Sequence, residues 1–243
     1  MNIIRIKILP STNSYLMEWM EKELLPEGTV VCTDNQTAGK GQRNNVWESQ
    51  PGKNLTFSVL LYPQFLPLNR FFLLSEIISL GIKDTLDIYT DDISIKWPND
   101  IYYQNKKICG ILIENEVTGQ CYSQSIVGIG LNVNQDVFFS DAPNPVSLKQ
   151  ITGKEFDLDA LLQEILANCF LWYERLREGQ AREIEEAYFN ALYRNKGFHS
   201  YKDQSGVFEA RIEKVGSDGF LCLHTDKGDS RKYAFKEVEF LRR

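Results

Sequence analysis

Ile101-Tyr102-Tyr103-Gln104-Asn105-Lys106-Lys107-Ile108-Cys109-Gly110-Ile111-Leu112-Ile113 decides the fold class. Two apolar runs flank a four-residue polar stretch, Gln104 to Lys107, which is a hairpin signature. Upstream, Ile93-Ser94-Ile95-Lys96-Trp97 reads as a strand stopped by Pro98. Downstream, a turn at Thr118-Gly119 leads to a strand from Cys121 to Val133. Further strands are expected at Ile3–Leu9, Thr29–Thr33 and Leu55–Tyr62.

Helical periodicity fills the gaps. Pro10-Ser11-Thr12-Asn13-Ser14 offers N-cap candidates for an amphipathic segment ending near Leu25. Residues 69–86 are apolar on nearly all faces, as expected of a helix lying against a sheet. Leu158, Leu161, Leu162, Ile165, Leu166, Cys169, Trp172, Tyr173 and Leu176 keep a 3.6-residue period, with Asp157 as N-cap. Another helix is expected at about 182–194. From Gly206 onward short strands are split by Gly216, Gly219 and Gly228. The reading is α+β: a mixed sheet with helices on one side over residues 1–195, then a small barrel-like β module over 196–243.

Composition bounds the function. The 243 residues are 43% hydrophobic and 25% charged, ordinary globular usage. No apolar stretch approaches the ~18 residues of a membrane span, and no signal-peptide cleavage site follows the N-terminus. A soluble, cytoplasmic chain is expected. Five widely spaced cysteines in apolar settings, without a C-x-x-C pair, read as reduced and mostly buried thiols. His199 and His224 are the two histidines, which argues against a zinc hydrolase or a histidine-based triad in the first 195 residues. The net charge of −6 argues against non-specific nucleic-acid binding. Residues 196–243 carry ten Lys or Arg against eight Asp or Glu, net +2, which leaves −8 on residues 1–195.

Three clusters could carry chemistry. The stretch from Asp34 to Asn54 is long for a connection and includes Gly39-Lys40-Gly41-Gln42-Arg43-Asn44-Asn45-Val46-Trp47. Glycines let backbone N–H groups approach an anion, and Lys40 and Arg43 would neutralise it. Neither G-x-x-x-x-G-K-[ST] nor G-x-G-x-x-G is matched, so a plain solvated loop stays open beside phosphate binding. Lys96-Trp97-Pro98-Asn99-Asp100 is an ordinary turn or a ligand-facing strand end. Lys106 and Lys107 are turn lysines or, for Lys107, an ammonium held against the strand that follows. Gly128-Ile129-Gly130-Leu131-Asn132 puts glycines inside a strand, which marks either a tight crossing or close approach of a ligand. Lys40, Arg43, Lys96, Lys106 and Lys107, five of the 17 cations in residues 1–195, fall within Gly39–Trp47 and Lys96–Lys107, which suggests an anionic ligand.

Taken in order, Ser11-Thr12-Asn13, Gln36 to Arg43 with Trp47, Lys96 to Asp100, Lys107-x-x-Gly110-Ile111-Leu112-Ile113-Glu114 and Gly128-x-Gly130-x-Asn132 resemble the biotin–protein ligases over essentially the whole chain. The resemblance implies a synthetase-like catalytic core of mixed sheet and helices, and an SH3-like C-terminal barrel. It implies activation of biotin by ATP with Mg²⁺ to biotinyl-5′-adenylate, then transfer to a lysine of a biotin carboxyl carrier domain, as in biotin–[acetyl-CoA-carboxylase] ligases. Ser11, Thr12, Asn13, Gln36, Gly39, Lys40, Gly41 and Gln42 would hold biotin. Lys107 would bind its carboxylate beside Gly110. Arg43, Trp47, Lys96, Asn99 and Asn132 would bind ATP, with Arg43 and Lys96 sharing catalysis with Lys107. Asp100 would contact Mg²⁺. From their place in the loop after Asn134, Phe138 and Phe139 are candidates for stacking on adenine.

Such chemistry suits this composition. Joining a carboxylate to a triphosphate is dominated by charge repulsion and positioning, so lysine, arginine, amides and Mg²⁺ suffice without a protein nucleophile. The loop departs from the arginine-rich G-R-G-R-x-G-R of many relatives, and Arg43 is the first choice for the phosphate role. The biotin motif starts at residue 11, so no DNA-binding domain, and no repressor role, is expected. Relatives dimerise by pairing sheets, which admits a homodimer without identifying its strand. Two rivals stand: a lipoate–protein ligase or octanoyltransferase of the same fold, and a non-catalytic protein- or RNA-binding module.

Overall fold

A computed structural model describes residues 2–42, 45–119, 121–139 and 144–241. The expected Arg43 and Asn44 positions lie outside the described residues. Seven strands form one sheet: β1 (Asn2–Leu9), β2 (Thr29–Gln36), β3 (Leu55–Leu61), β4 (Ile93–Lys96), β5 (Asp100–Tyr103), β6 (Lys106–Thr118) and β7 (Cys121–Leu131), in the order β1-β2-β3-β7-β6-β5-β4. The β1 and β2 strands run parallel, and the other pairings are antiparallel.

Both faces of the sheet are covered, which corrects the expectation of helices on one side. In β3 all seven residues are buried. Phe57, Val59 and Leu61 join the main core with α2 (Phe72–Leu86), α4 (Leu158–Arg177) and α5 (Ala181–Ala191). Leu60 turns the other way and packs with Leu16 of α1 (Thr12–Met20), Val31 and Ile126. A strand buried on both sides loses the polar alternation that would have shown its second face. The short helix α1 has too few turns to mark which side it takes.

Caps fix where the helices start. Ser11 opens α1, its hydroxyl accepting from the Ser14 amide at 3.4 Å. Asp157 opens α4 as expected, its carboxylate accepting from the Asp159 and Ala160 amides at 2.9 and 3.0 Å. A one-turn helix that the sequence reading passed over, α3 (Leu148–Thr152), has a capping box between Ser147 and Gln150.

The C-terminal sheet runs β11-β10-β9-β8-β12, with β8 (His199–Asp203), β9 (Gly206–Val215), β10 (Leu221–Thr225), β11 (Ser230–Tyr233) and β12 (Glu239–Phe240). Its first strand precedes Gly206, where the β pattern was expected to begin. His-Ser-Tyr-Lys-Asp buries Tyr201 alone, so it carries no apolar alternation to read. The Trp97 indole donates to the Gly219 carbonyl at 2.9 Å, and Phe235 meets Trp97 edge-on. These contacts bring Phe235 to the cleft described below. No helix among the described residues is long and apolar enough to cross a membrane. Cys32, Cys109, Cys169 and Cys222 are unpaired, and burial raises the Cys109 and Cys169 thiols well above their ordinary range.

Candidate active site

A cleft with a cavity volume of about 130 Å³ opens on the α1 side of the large sheet. Gly110, Leu112, Gly128 and Gly130 of β6 and β7 form its floor. Its walls come from Ser11, Thr12 and Asn13 at the start of α1, and from Gln36 at the end of β2. Lys40, Gly41, Gln42, Asn45, Val46 and Trp47 of the glycine loop, Asn99 and Asp100 of the β4–β5 turn, and Phe235 complete it.

The loop is hydrogen-bonded rather than a plain solvated connection. The Thr37 and Ala38 amides donate to the Leu9 and Pro10 carbonyls at 2.9 Å each. Gly39 accepts from the Trp47 amide at 3.0 Å, and Gly41 donates to the Asn45 carbonyl at 2.7 Å, so Gly39–Gln42 lies back against Asn45–Trp47. Lys40 donates from Nζ to the Ser14 hydroxyl at 2.9 Å.

This fold-back delivers Trp47 onto the floor. A Cβ at Gly130 would lie 2.3 Å from the Trp47 ring, so only glycine leaves room for the indole there. The indole Nε1 is buried and has no hydrogen-bond partner among the described residues. A Cβ at Gly128 would lie 2.4 Å from Asn13 Oδ1. The two strand glycines thus accommodate the protein's own cleft side chains, where a tight crossing or the close approach of a ligand was expected.

Lys107 reaches the cleft through a register shift. The hairpin turn is Gln104-Asn105 alone, with Gln104 at φ 52°, so Lys106 and Lys107 belong to β6 and not to the turn. Ile101 pairs with Cys109 but Tyr102 pairs with Lys107, leaving Ile108 as an extra residue. Regular alternation would put Lys107 on the face of Cys109, in the core. The bulge buries Ile108 and Cys109 in succession and turns Lys107 to the opposite face. There its Nζ lies 2.7 Å from Asp100 Oδ1 and 5.6 Å from the centre of the Trp47 ring.

Not every expected residue joins this cleft. Lys96 lies in a separate pocket with Trp97, Tyr102, Tyr193, Phe235 and Phe240, and Phe235 is the wall between the two. Its Nζ is 3.1 Å from the Tyr102 hydroxyl and 5.5 Å from the centre of the Phe240 ring. Asn132 sits at the end of β7, where its Nδ2 donates to the Val146 carbonyl at 3.2 Å. Its buried Oδ1 has no partner among the described residues. Phe139 is exposed, and its amide donates to Glu48. Asn99 lines the cleft with its Nδ2 donating to the Ile111 carbonyl at 2.5 Å.

The sequence profile of the Biotin/lipoate A/B protein ligase family matches residues 6–132, the part of the chain that builds this cleft apart from Phe235. The chain belongs to that family. Among curated members it is 32% identical over 248 residues to the bifunctional ligase/repressor BirA of Bacillus subtilis, covering 96% of this chain and 72% of that one. It is 31% identical over 154 residues to the biotin–[acetyl-CoA-carboxylase] ligase of Paracoccus denitrificans, covering 60% of this chain and 63% of that one. The biotin protein ligase of Aquifex aeolicus, solved with biotin and ATP, superposes with a TM-score of 0.81 at 26% identity, over 100% of this chain and 99% of that one.

Within the family frame, three residues in or behind the cleft were not singled out in the sequence. Ser58 sits in an apolar strand, Glu114 closes a motif quoted for its apolar part, and Phe235 arrives from the other sheet. Ser58 is the one that pattern could have flagged. It is a fully buried hydroxyl in a run of hydrophobic residues, and such a group must find a hydrogen-bond partner.

Proposed function

We propose that this chain is a biotin–protein ligase that acts in two steps. A biotin carboxylate oxygen attacks the α-phosphorus of ATP, the bond to the β-phosphate oxygen breaks, and pyrophosphate leaves. The amine of a carrier-domain lysine then attacks the acyl carbon of biotinyl-5′-adenylate, giving an amide, AMP and a proton. The observation that carries this reading is the placement of Lys107 beside Asp100 and under Trp47 in a cleft whose other polar lining includes Ser11, Thr12, Asn13, Gln36, Gln42 and Asn99.

Two anions must meet in the first step. A fixed ammonium beside them lowers the repulsion and costs no reorganisation when charge develops. Lys107 does this, and Asp100 holds it in place until the ligand carboxylate arrives. Ser11, Thr12, Asn13, Gln36, Gly39, Lys40, Gly41 and Gln42 hold the biotin ring. Trp47, Asn99 and Asn132 take the nucleotide, the free Oδ1 of Asn132 accepting from the adenine amino group. Arg43 serves the phosphates. Lys96 would serve them only from the far side of Phe235, so Lys107 and Arg43 carry the main charge.

Among the described residues no group of three or more metal-ligating side chains occurs, and Asp100 is the carboxylate of the cleft. That donor set fits a Mg²⁺ chelated by ATP phosphates that takes one protein carboxylate. A Mg²⁺ held there would supply neutralisation of the triphosphate charge. Acyl phosphates hydrolyse when water reaches them, and Trp47 over the floor, with Gly41 and Gln42 beside it, shields the intermediate.

The acceptor is the biotin carboxyl carrier domain of a biotin-dependent carboxylase, acetyl-CoA carboxylase being the first choice. Purified protein with ATP, Mg²⁺ and biotin should release pyrophosphate, and lipoate in place of biotin should release none. Release with lipoate alone would convert the reading to a lipoate ligase; release with neither would overturn it.

A further inference from the structure

Resting on the biotin reading above, we propose that Glu114 and Ser58 are positioning residues that lock the Asn13 carboxamide, so that Asn13 offers the ligand an acceptor and never a donor. The argument is a count of protons. Asn13 lines the cleft and is 3% exposed. Its Nδ2 lies 2.7 Å from Glu114 Oε2 and 3.4 Å from the Leu112 carbonyl, which commits both amide protons.

The oxygen end is fixed from the opposite side. Ser58 is fully buried, and its Oγ lies 2.5 Å from Asn13 Oδ1 and 2.6 Å from Thr12 Oγ1. Ser58 has one proton, and the Asn13 oxygen has none to give. Ser58 therefore donates to Asn13, and Thr12 donates to Ser58. Thr12 Oγ1 also lies 3.2 Å from Gln36 Oε1, but its one proton goes to the closer Ser58, and the Thr12 backbone amide satisfies Gln36 Oε1 at 2.9 Å. One lone pair of Asn13 Oδ1 remains, on an oxygen set where a Gly128 Cβ would otherwise be.

Glu114 supplies the polarity of the lock. An ionised carboxylate only accepts, so a flipped Asn13 would set oxygen against oxygen and lose both donor bonds. Ser58 alone could not prevent the flip, because a hydroxyl can donate or accept. The uncommitted acceptor suits an N–H of the ligand, and a cyclic urea presents such a group. Neither Glu114 nor Ser58 lines the cleft itself, so each acts through Asn13.

Glu114→Gln tests the polarity at constant shape, since glutamine presents a donor as readily as an acceptor. Biotin affinity, measured by calorimetry without ATP, should fall about tenfold, with ATP affinity within twofold of wild type. Ser58→Ala should weaken biotin similarly. In the ¹⁵N spectrum of the ligand-free protein, the Asn13 side-chain pair, assigned through Asn13→Asp, should shift and exchange faster in Glu114→Gln. If Ser58→Ala proves unstable, the isosteric glutamine variant alone decides. Biotin affinity unchanged within twofold in Glu114→Gln, an equal loss for ATP, or an unaltered Asn13 signal would overturn the lock. A wild-type protein that binds no biotin would instead sink the proposed function, and the Asn13 signal would still report on the lock.

Discussion

Lys107 Nζ and Asp100 Oδ1 stand 2.7 Å apart across the β5–β6 pairing, each about one-quarter to one-fifth exposed. The pair is wet enough that either member can be resolvated, so its net contribution to stability is about 1 kcal/mol or less. Its service is geometric. Asp100 keeps the lysine extended over Gly110, and on the proposed function that aims it at the ligand carboxylate.

That separation of roles gives the first prediction. Lys107→Ala should lower the rate of pyrophosphate release about 10²- to 10³-fold, the usual cost of losing one preorganised group that stabilises developing charge. The unfolding free energy should change by about 1 kcal/mol or less. Rate and urea midpoint are measured on the same preparation. A variant equally active at saturating biotin and ATP would reduce Lys107 to a structural strand lysine.

Gly130 leads to the second. Its missing Cβ holds the Trp47 ring, and alanine would meet that ring at 2.3 Å, so the indole must leave the floor. Overpacking of this kind costs about 1–3 kcal/mol when the neighbour cannot yield. The cheaper response here is displacement, because Trp47 is carried by a loop. Gly130→Ala should therefore red-shift the Trp47 emission, read against a Trp47→Phe control, and weaken nucleotide binding more than biotin binding. An unchanged spectrum would show that the ring tolerates the methyl group.

What the sequence made legible divides along physical lines. The hairpins, the long helix begun by Asp157 and the glycine positions were readable because each is written in neighbouring residues. The second covered face was not, since a strand such as Leu55–Leu61, buried on both sides, shows no alternation. The aim of Lys107 was hidden for a related reason. It depends on the bulge at Ile108, and two successive apolar residues before Gly110 look the same with or without one. Ser58, Glu114 and Phe235 reach their partners through contacts distant in the chain, as between Ser58 and Asn13, 45 residues away.

The third prediction concerns the Asp157 cap. Its carboxylate satisfies two amides at the start of the 20-residue helix α4. Asp157→Ala should cost about 1 kcal/mol, which lowers Tm by roughly 2–4 °C in a protein of this size, with catalysis at 25 °C untouched. Calorimetry settles it, and a shift below 0.5 °C would mean that water replaces the cap at no cost.

Glu76 supplies the last. It lies on α2 at 1% exposure, near Arg70, Glu185 and Tyr188, and its Oε2 has no partner among the described residues. Burial, reinforced by Glu185, lifts its carboxyl from 4.5 to about 8. The native state therefore keeps a proton that the unfolded chain gives up above pH 4.5. Below that pH both states are protonated and stability is unaffected. Between 4.5 and 8 the folded protein binds more protons, so stability falls as pH rises, by at most about 5 kcal/mol over the interval. Glu76→Gln keeps the shape without the proton. Its stability should match wild type near pH 5, exceed it at pH 8, and lose the downward slope between, as read from urea unfolding at each pH. Parallel pH profiles for the two proteins would show that Glu76 ionises in the folded state at little cost, through water reaching it along the groove between α5 and the C-terminal sheet.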